Sequence, residues 1–116
     1  MTDTAILTFN GITPTIASSA FIAPGSRVIG DVHIGEESSI WYNCVLRGDV
    51  NYIRIGARTN IQDGTVVHVT NKINSTEIGN DVLIGHLAMV HGCKLHDRAF
   101  VGLGTIVMDG CEIEGD

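Results

Sequence analysis

Aliphatic side chains return along this chain at a step of six. From Ile22 the periodic positions are Ile22, Val28, Ile34, Ile40, Leu46, Ile55, Ile61, Val67, Ile78, Ile84, Val90, Leu95, Val101, Val107 and Ile113. All fifteen are Ile, Leu or Val, although only 32 of the 116 residues are. The step departs from six at three places: 9 from Leu46 to Ile55, 11 from Val67 to Ile78 and 5 from Val90 to Leu95. No segment sustains the i, i+3, i+4, i+7 stripe of an amphipathic helix. A short, fixed aliphatic period predicts an all-β solenoid, each six-residue unit being a short strand plus a corner.

Local chemistry agrees with that reading. Glycine directly follows the aliphatic in Ile34-Gly35, Ile55-Gly56, Ile78-Gly79, Ile84-Gly85 and Val101-Gly102, which suits close approach of stacked coils. The chain reads as one domain over 1–116, with 1–20 as a lead-in strand and cap and 21–116 as coils. Two of the irregular steps read as inserted loops, three residues around Val50-Asn51-Tyr52 and five within 71–77. Cys44 and Cys111 each lie four residues after a periodic aliphatic. They share that register with Ser26, Val32, Ser38, Thr59, Thr65, Val82, Ala88, Ala99 and Thr105, so both are expected to fill a narrow interior. Cys93, just after His91, falls near the candidate chemistry below.

Composition narrows the partners. Seven Lys+Arg against 13 Asp+Glu give a net charge of −6, which argues against nucleic acid or an anionic membrane surface. No apolar run approaches a membrane span, and the first ten residues hold no basic residue and no signal-like apolar block. A cytoplasmic location is the expectation. Few aromatics (5 %), 14 Gly and 2 Pro suit a repetitive β architecture.

The histidines carry the chemistry. Val67 to Val90 is 23 residues, three six-residue faces plus the five-residue loop. His68 and His91, each directly after those aliphatics, therefore stack one coil apart, about 4.8 Å. Leu46 to Val67 is 21 residues, 18 plus three, so Arg47 joins the same column. Ile61 to Ile84 is again 23, which pairs Asp63 with His86 on the preceding face. One rigid prism does not bring His86 to the other two, but a neighbouring copy in a three-fold oligomer would. Three neutral histidines with an open fourth position make a catalytic zinc arrangement. Residue pattern alone leaves Arg47 with Asp49 as a corner salt bridge and Gln62-Asp63 as a solvated turn on equal footing with functional roles. His33 and His96 read as surface residues.

The stretches Trp41-Tyr42-Asn43-Cys44-Val45-Leu46-Arg47-Gly48-Asp49, Asn60-Ile61-Gln62-Asp63-Gly64 and Ile84-Gly85-His86 with His91-Gly92-Cys93 resemble the γ-class carbonic anhydrase family. The resemblance runs from about Gly11 to the end of the chain. It implies a left-handed parallel β-helix of hexapeptide repeats, here about five coils, and a C-terminal helix along the outside for which this chain has no segment, so that it reads as a truncated form. It also implies a homotrimer with metal sites between subunits. His68, His86 and His91 would be the ligands of Zn2+, or of Fe2+ or Co2+ in its place. Gln62 would hydrogen-bond water or bicarbonate at the metal with Asn60 supporting it, and Arg47, Asp49 and Asp63 would form ion pairs across the interface. The implied reaction is reversible hydration of CO2 to bicarbonate. The family's acidic loop corresponds here to 71–77, which is short and holds one carboxylate, Glu77. Two other functions share the period: a hexapeptide acyltransferase or acyl-CoA thioesterase, and a non-catalytic metal-binding assembly subunit.

Overall fold

The structure of the protein, a computed structural model, describes residues 5–115. The six-residue period becomes three columns of aliphatic side chains stacked inside a solenoid of about five coils. Ile22, Ile40, Ile61, Ile84 and Val101 stand in register on a first face. Val28, Leu46, Val67, Val90 and Val107 form a second. Ile34, Ile55, Ile78, Leu95 and Ile113 form a third. Every strand pairing is parallel, and no helix occurs among the described residues. Ala5–Leu7 and Thr15–Ile16 pair with Arg27–Ile34, placing Ile6 and Ile16 at the head of the second and third columns.

Between the aliphatics the interior holds small side chains. Ser26, Ser38, Thr59, Thr65 and Thr76 are buried, and each hydroxyl donates to a carbonyl and accepts an N–H, tying coil to coil. A buried hydroxyl so paired avoids the penalty of an orphaned polar group. Cys44 belongs to this interior as expected, but Cys111 is exposed. Cys111 sits in the last described coil with nothing stacked on it, so its register no longer confers burial. Thr105 is exposed for the same reason.

The three irregular steps all fall at one corner, the passage from the second face to the third. In one coil Asp31 alone spans what Asp49, Val50, Asn51 and Tyr52 span in the next, with Gly30 opposite Gly48 and Val32 opposite Ile53. The second insertion keeps its five residues, but its loop closes earlier than residue 77. Thr70 and Asn74 bridge to close a small loop, and Thr76–Ile78 is already strand, with Glu77 beside Arg54. Glu77 therefore lies on the third face, accepting from the Tyr52 hydroxyl, and the loop proper contains no carboxylate. The opposite corner, from the first face to the second, is regular. Its two-residue turns place Tyr42, Asp63, His86 and Leu103 in one column, each followed by a residue of positive φ such as Gly64 (75°) or Leu87 (56°).

Candidate metal centre

His68 and His91 end the strands Val66–His68 and Met89–His91 and face each other in register. Their backbones are pinned by Thr76, whose hydroxyl donates to the His68 carbonyl and accepts from Gly92 N–H. The imidazoles meet edge to face, with His68 Nδ1 and His91 Nε2 3.2 Å apart. Each outer ring nitrogen is held by a carboxylate: His68 Nε2 by Asp49 Oδ1 at 3.0 Å, His91 Nδ1 by Asp109 Oδ1 at 2.5 Å. The result is a line, Asp49–His68–His91–Asp109, along the irregular corner.

An ionised carboxylate only accepts, so neutral imidazoles in this line carry their hydrogens on the outer nitrogens. Both inner nitrogens then present lone pairs to each other, an arrangement that needs a cation or a proton between them. Two nitrogens each about 2.0–2.1 Å from one tetrahedral ion lie about 3.3 Å apart, so the 3.2 Å separation fits two ligands of one metal.

Arg47 donates to Asp49 Oδ2 at 2.5 Å, leaving Oδ1 for His68. Burial pushes the Asp49 carboxyl up, but His68 and Arg47 outweigh it and hold it below the usual range. Asp109 is likewise held low, first by the Thr70 hydroxyl and then by His91. Cys93, two residues beyond His91, turns into the interior, where burial raises its thiol to about 11. It is no ligand candidate.

His86 stands apart. It occupies the regular corner, 53 % exposed, with Nδ1 3.2 Å from Asp63 Oδ1. Gln62 and Asn60 lie on the adjoining first face, the Gln62 amide donating to Asn60 Oδ1. A groove of about 380 Å3 opens beside them between Tyr42, Asn43, Asp63, Gly64, His86 and Leu87. The candidate residues thus divide into two groups: Arg47, Asp49, His68 and His91 at one corner, and Asn60, Gln62, Asp63 and His86 at the other. In this single chain Asp49 and Asp63 are engaged by His68 and His86. Sequence reasoning missed Asp109 and Thr70. Carrying the His68–His91 column one coil further reaches Met108, with Asp109 next to it, and that was the available signal.

Among the described residues the one trio of ligand atoms mutually within 4.8 Å is His96, Glu112 and Glu114. His96, read as a surface residue, is 33 % exposed and bonded to Glu112 at 2.9 Å. His33 is exposed, as expected.

Depressed carboxyls give a pH prediction. Asp49, Asp81, Asp109 and Glu112 all bind protons less readily than their ordinary values of 3.8 and 4.5. The unfolded chain therefore takes up more protons as pH falls, and stability present above those values is lost below them. The melting temperature should hold from pH 6 to 5 and drop from about pH 4.5 toward 3. A flat profile across that window would show that these pairs do not stabilise the fold.

Comparisons with known proteins place the chain in a family. Residues 13–48 match the family described as bacterial transferase hexapeptide (six repeats). Over 106 residues the chain is 51 % identical to gamma carbonic anhydrase 1, mitochondrial, of Arabidopsis thaliana, covering 87 % of this chain and 38 % of that protein. It is 44 % identical over 108 residues to a carbonic anhydrase of Geobacillus kaustophilus, covering 93 % of this chain and 59 % of that protein. The chain thus spans between about two fifths and three fifths of these relatives' lengths. Among solved structures, a hexapeptide transferase family protein from Anaplasma phagocytophilum superposes with a TM-score of 0.83 at 36 % identity, covering 96 % of this chain and 75 % of that one. The aliphatic columns, the histidine motifs and these identities together make the chain a member of the γ-carbonic-anhydrase-like family of hexapeptide-repeat proteins.

Proposed function

We propose that this chain is the metal-binding β-helix of a carbonic anhydrase, hydrating CO2 reversibly to bicarbonate at sites shared between the protomers of a homotrimer. The observation that carries the reading is the line Asp49–His68–His91–Asp109, whose two inner nitrogens face each other at 3.2 Å. His86 completes the ligand set from the neighbouring protomer, because within one chain it lies at the other corner. Relatives named carbonic anhydrases imply a metal, and three neutral imidazoles suit zinc, with iron or cobalt as substitutes. When bound, such an ion supplies a hydroxide nucleophile at neutral pH.

The chain's own residues orient the reaction. Asp49 and Asp63 fix the rings of His68 and His86 and strengthen them as ligands. Arg47 holds Asp49 in place. Gln62, steadied by Asn60, offers its amide to an oxygen of bicarbonate. With Glu77 on the third face, the 70–75 loop brings no carboxylate to accept the departing proton, and turnover is expected to be slow.

The test is metal content on anaerobically purified protein, paired with stopped-flow CO2 hydration on the same sample. About one metal per chain with metal-dependent hydration supports the proposal; hydration that survives metal stripping sinks it. A second reading, acyl-CoA transfer or hydrolysis, is favoured by the likeness to a hexapeptide transferase family protein. That chemistry uses one histidine as base and leaves the paired histidines and their carboxylates without a task. Full metal with thioester turnover and no hydration would select it. Full metal with neither activity, and dissociation on metal removal, would make the chain an assembly subunit.

A further inference from the structure

Asp109 belongs to none of the motifs that carry the family resemblance, yet it is seated from three sides. Its turn is tied down by Gly110 N–H donating to the Gly92 carbonyl at 2.8 Å. The Thr70 hydroxyl, at the mouth of the loop closed by Thr70 N–H and the Asn74 carbonyl, donates to Asp109 Oδ2. Oδ1 accepts from His91 Nδ1 at 2.5 Å. Gly92 leaves the space: a Cβ there would lie 2.6 Å from Asp109 Oδ1, and its φ of 55° already disfavours a side chain. Loop, glycine and turn thus converge to hold one carboxylate against one face of one imidazole.

We propose that Asp109, seated by Thr70 and Gly92, is a positioning residue that fixes His91 in the Nδ1–H tautomer and keeps Nε2 open as a metal ligand. This rests on the metal-binding reading above. The physical need is specific. A histidine ligand must offer an unprotonated nitrogen, and the hydrogen bond on the other nitrogen decides which one that is. Asp49 serves His68 from the far end of the line. Without Asp109, nothing else among the contacts of His91 Nδ1 in this structure selects the tautomer with a free Nε2.

The experiment compares wild type, Asp109→Ala and Thr70→Val as assembled protein. Histidine tautomers are read from long-range 1H–15N spectra of the metal-free forms, and affinity from Zn2+ competition with a chelator. In wild type His91 should be Nδ1–H. In Asp109→Ala it should pass to Nε2–H, and Zn2+ affinity should fall about 10–100-fold. Thr70→Val, which keeps the carboxylate but loosens it, should cost about fivefold; it remains informative if the aspartate variant fails to fold. An unchanged tautomer in Asp109→Ala, or affinities within twofold of wild type in both variants, overturns the proposal. Wild type that binds no Zn2+ overturns the metal reading instead, and the tautomer comparison, made without metal, still decides what Asp109 does.

Discussion

Replacing His68 with alanine should reduce bound metal to background and abolish metal-dependent CO2 hydration, with affinity falling more than the ~100-fold that a lost outer partner costs. His68 stands between Asp49 and His91, so its loss removes a ligand and leaves Asp49 to Arg47 and the Val50 N–H. His86→Ala should weaken metal binding comparably for a different reason, since in the proposed trimer its ring would come from the next protomer. That difference is testable by mixing. A His86→Ala protomer keeps His68 and His91, a His68→Ala protomer keeps His86, and one interface of every mixed trimer brings the intact halves together. Random 1:1 mixing should restore about a quarter of the sites. If mixed trimers form and no metal returns, the division of ligands between chains is wrong.

Ile61→Ala should have the largest effect on stability, about 2–5 kcal/mol. Ile61 is fully buried and locked in register between Ile40 and Ile84. The backbone ladders on either side hold the coils at fixed spacing, so the space left by the side chain cannot close. Against a typical total of about 5–15 kcal/mol, the loss is a large fraction, and a solenoid transmits it because each coil leans only on its neighbours. Urea unfolding of the two proteins measures it. A loss under about 1 kcal/mol would mean the column repacks and is not the rigid stack described here. Asn60 and Gln62 flank Ile61, so metal content of the variant also shows how far the site depends on that stack.

The columns were legible because a strand has only two faces and one side is dry. Once every sixth residue is Ile, Leu or Val, the register of the stacked coils follows, and with it the pairing of His68 with His91 and of Asp63 with His86. Less legible were residues whose placement depends on how a corner turns. Glu77 read as part of the loop, but the Thr70–Asn74 bridge closes that loop early and delivers Glu77 to a strand. Cys111 shares the interior register of Cys44, but burial needs a coil on both sides. Asp49 read as a partner for Arg47 or for a neighbouring chain; its second oxygen goes to His68.

The sequence by itself determined the solenoid, the three faces and the separation of His86 from the other two histidines, because periodicity places backbones on a lattice with about 4.8 Å between coils. Only the tertiary structure decided that Asp49 and Asp109 close the two ends of the histidine pair. Those contacts are made by side chains reaching across coils whose corners differ in length. A lattice of backbone positions leaves their direction open until the loop at Thr70 and the space over Gly92 are built.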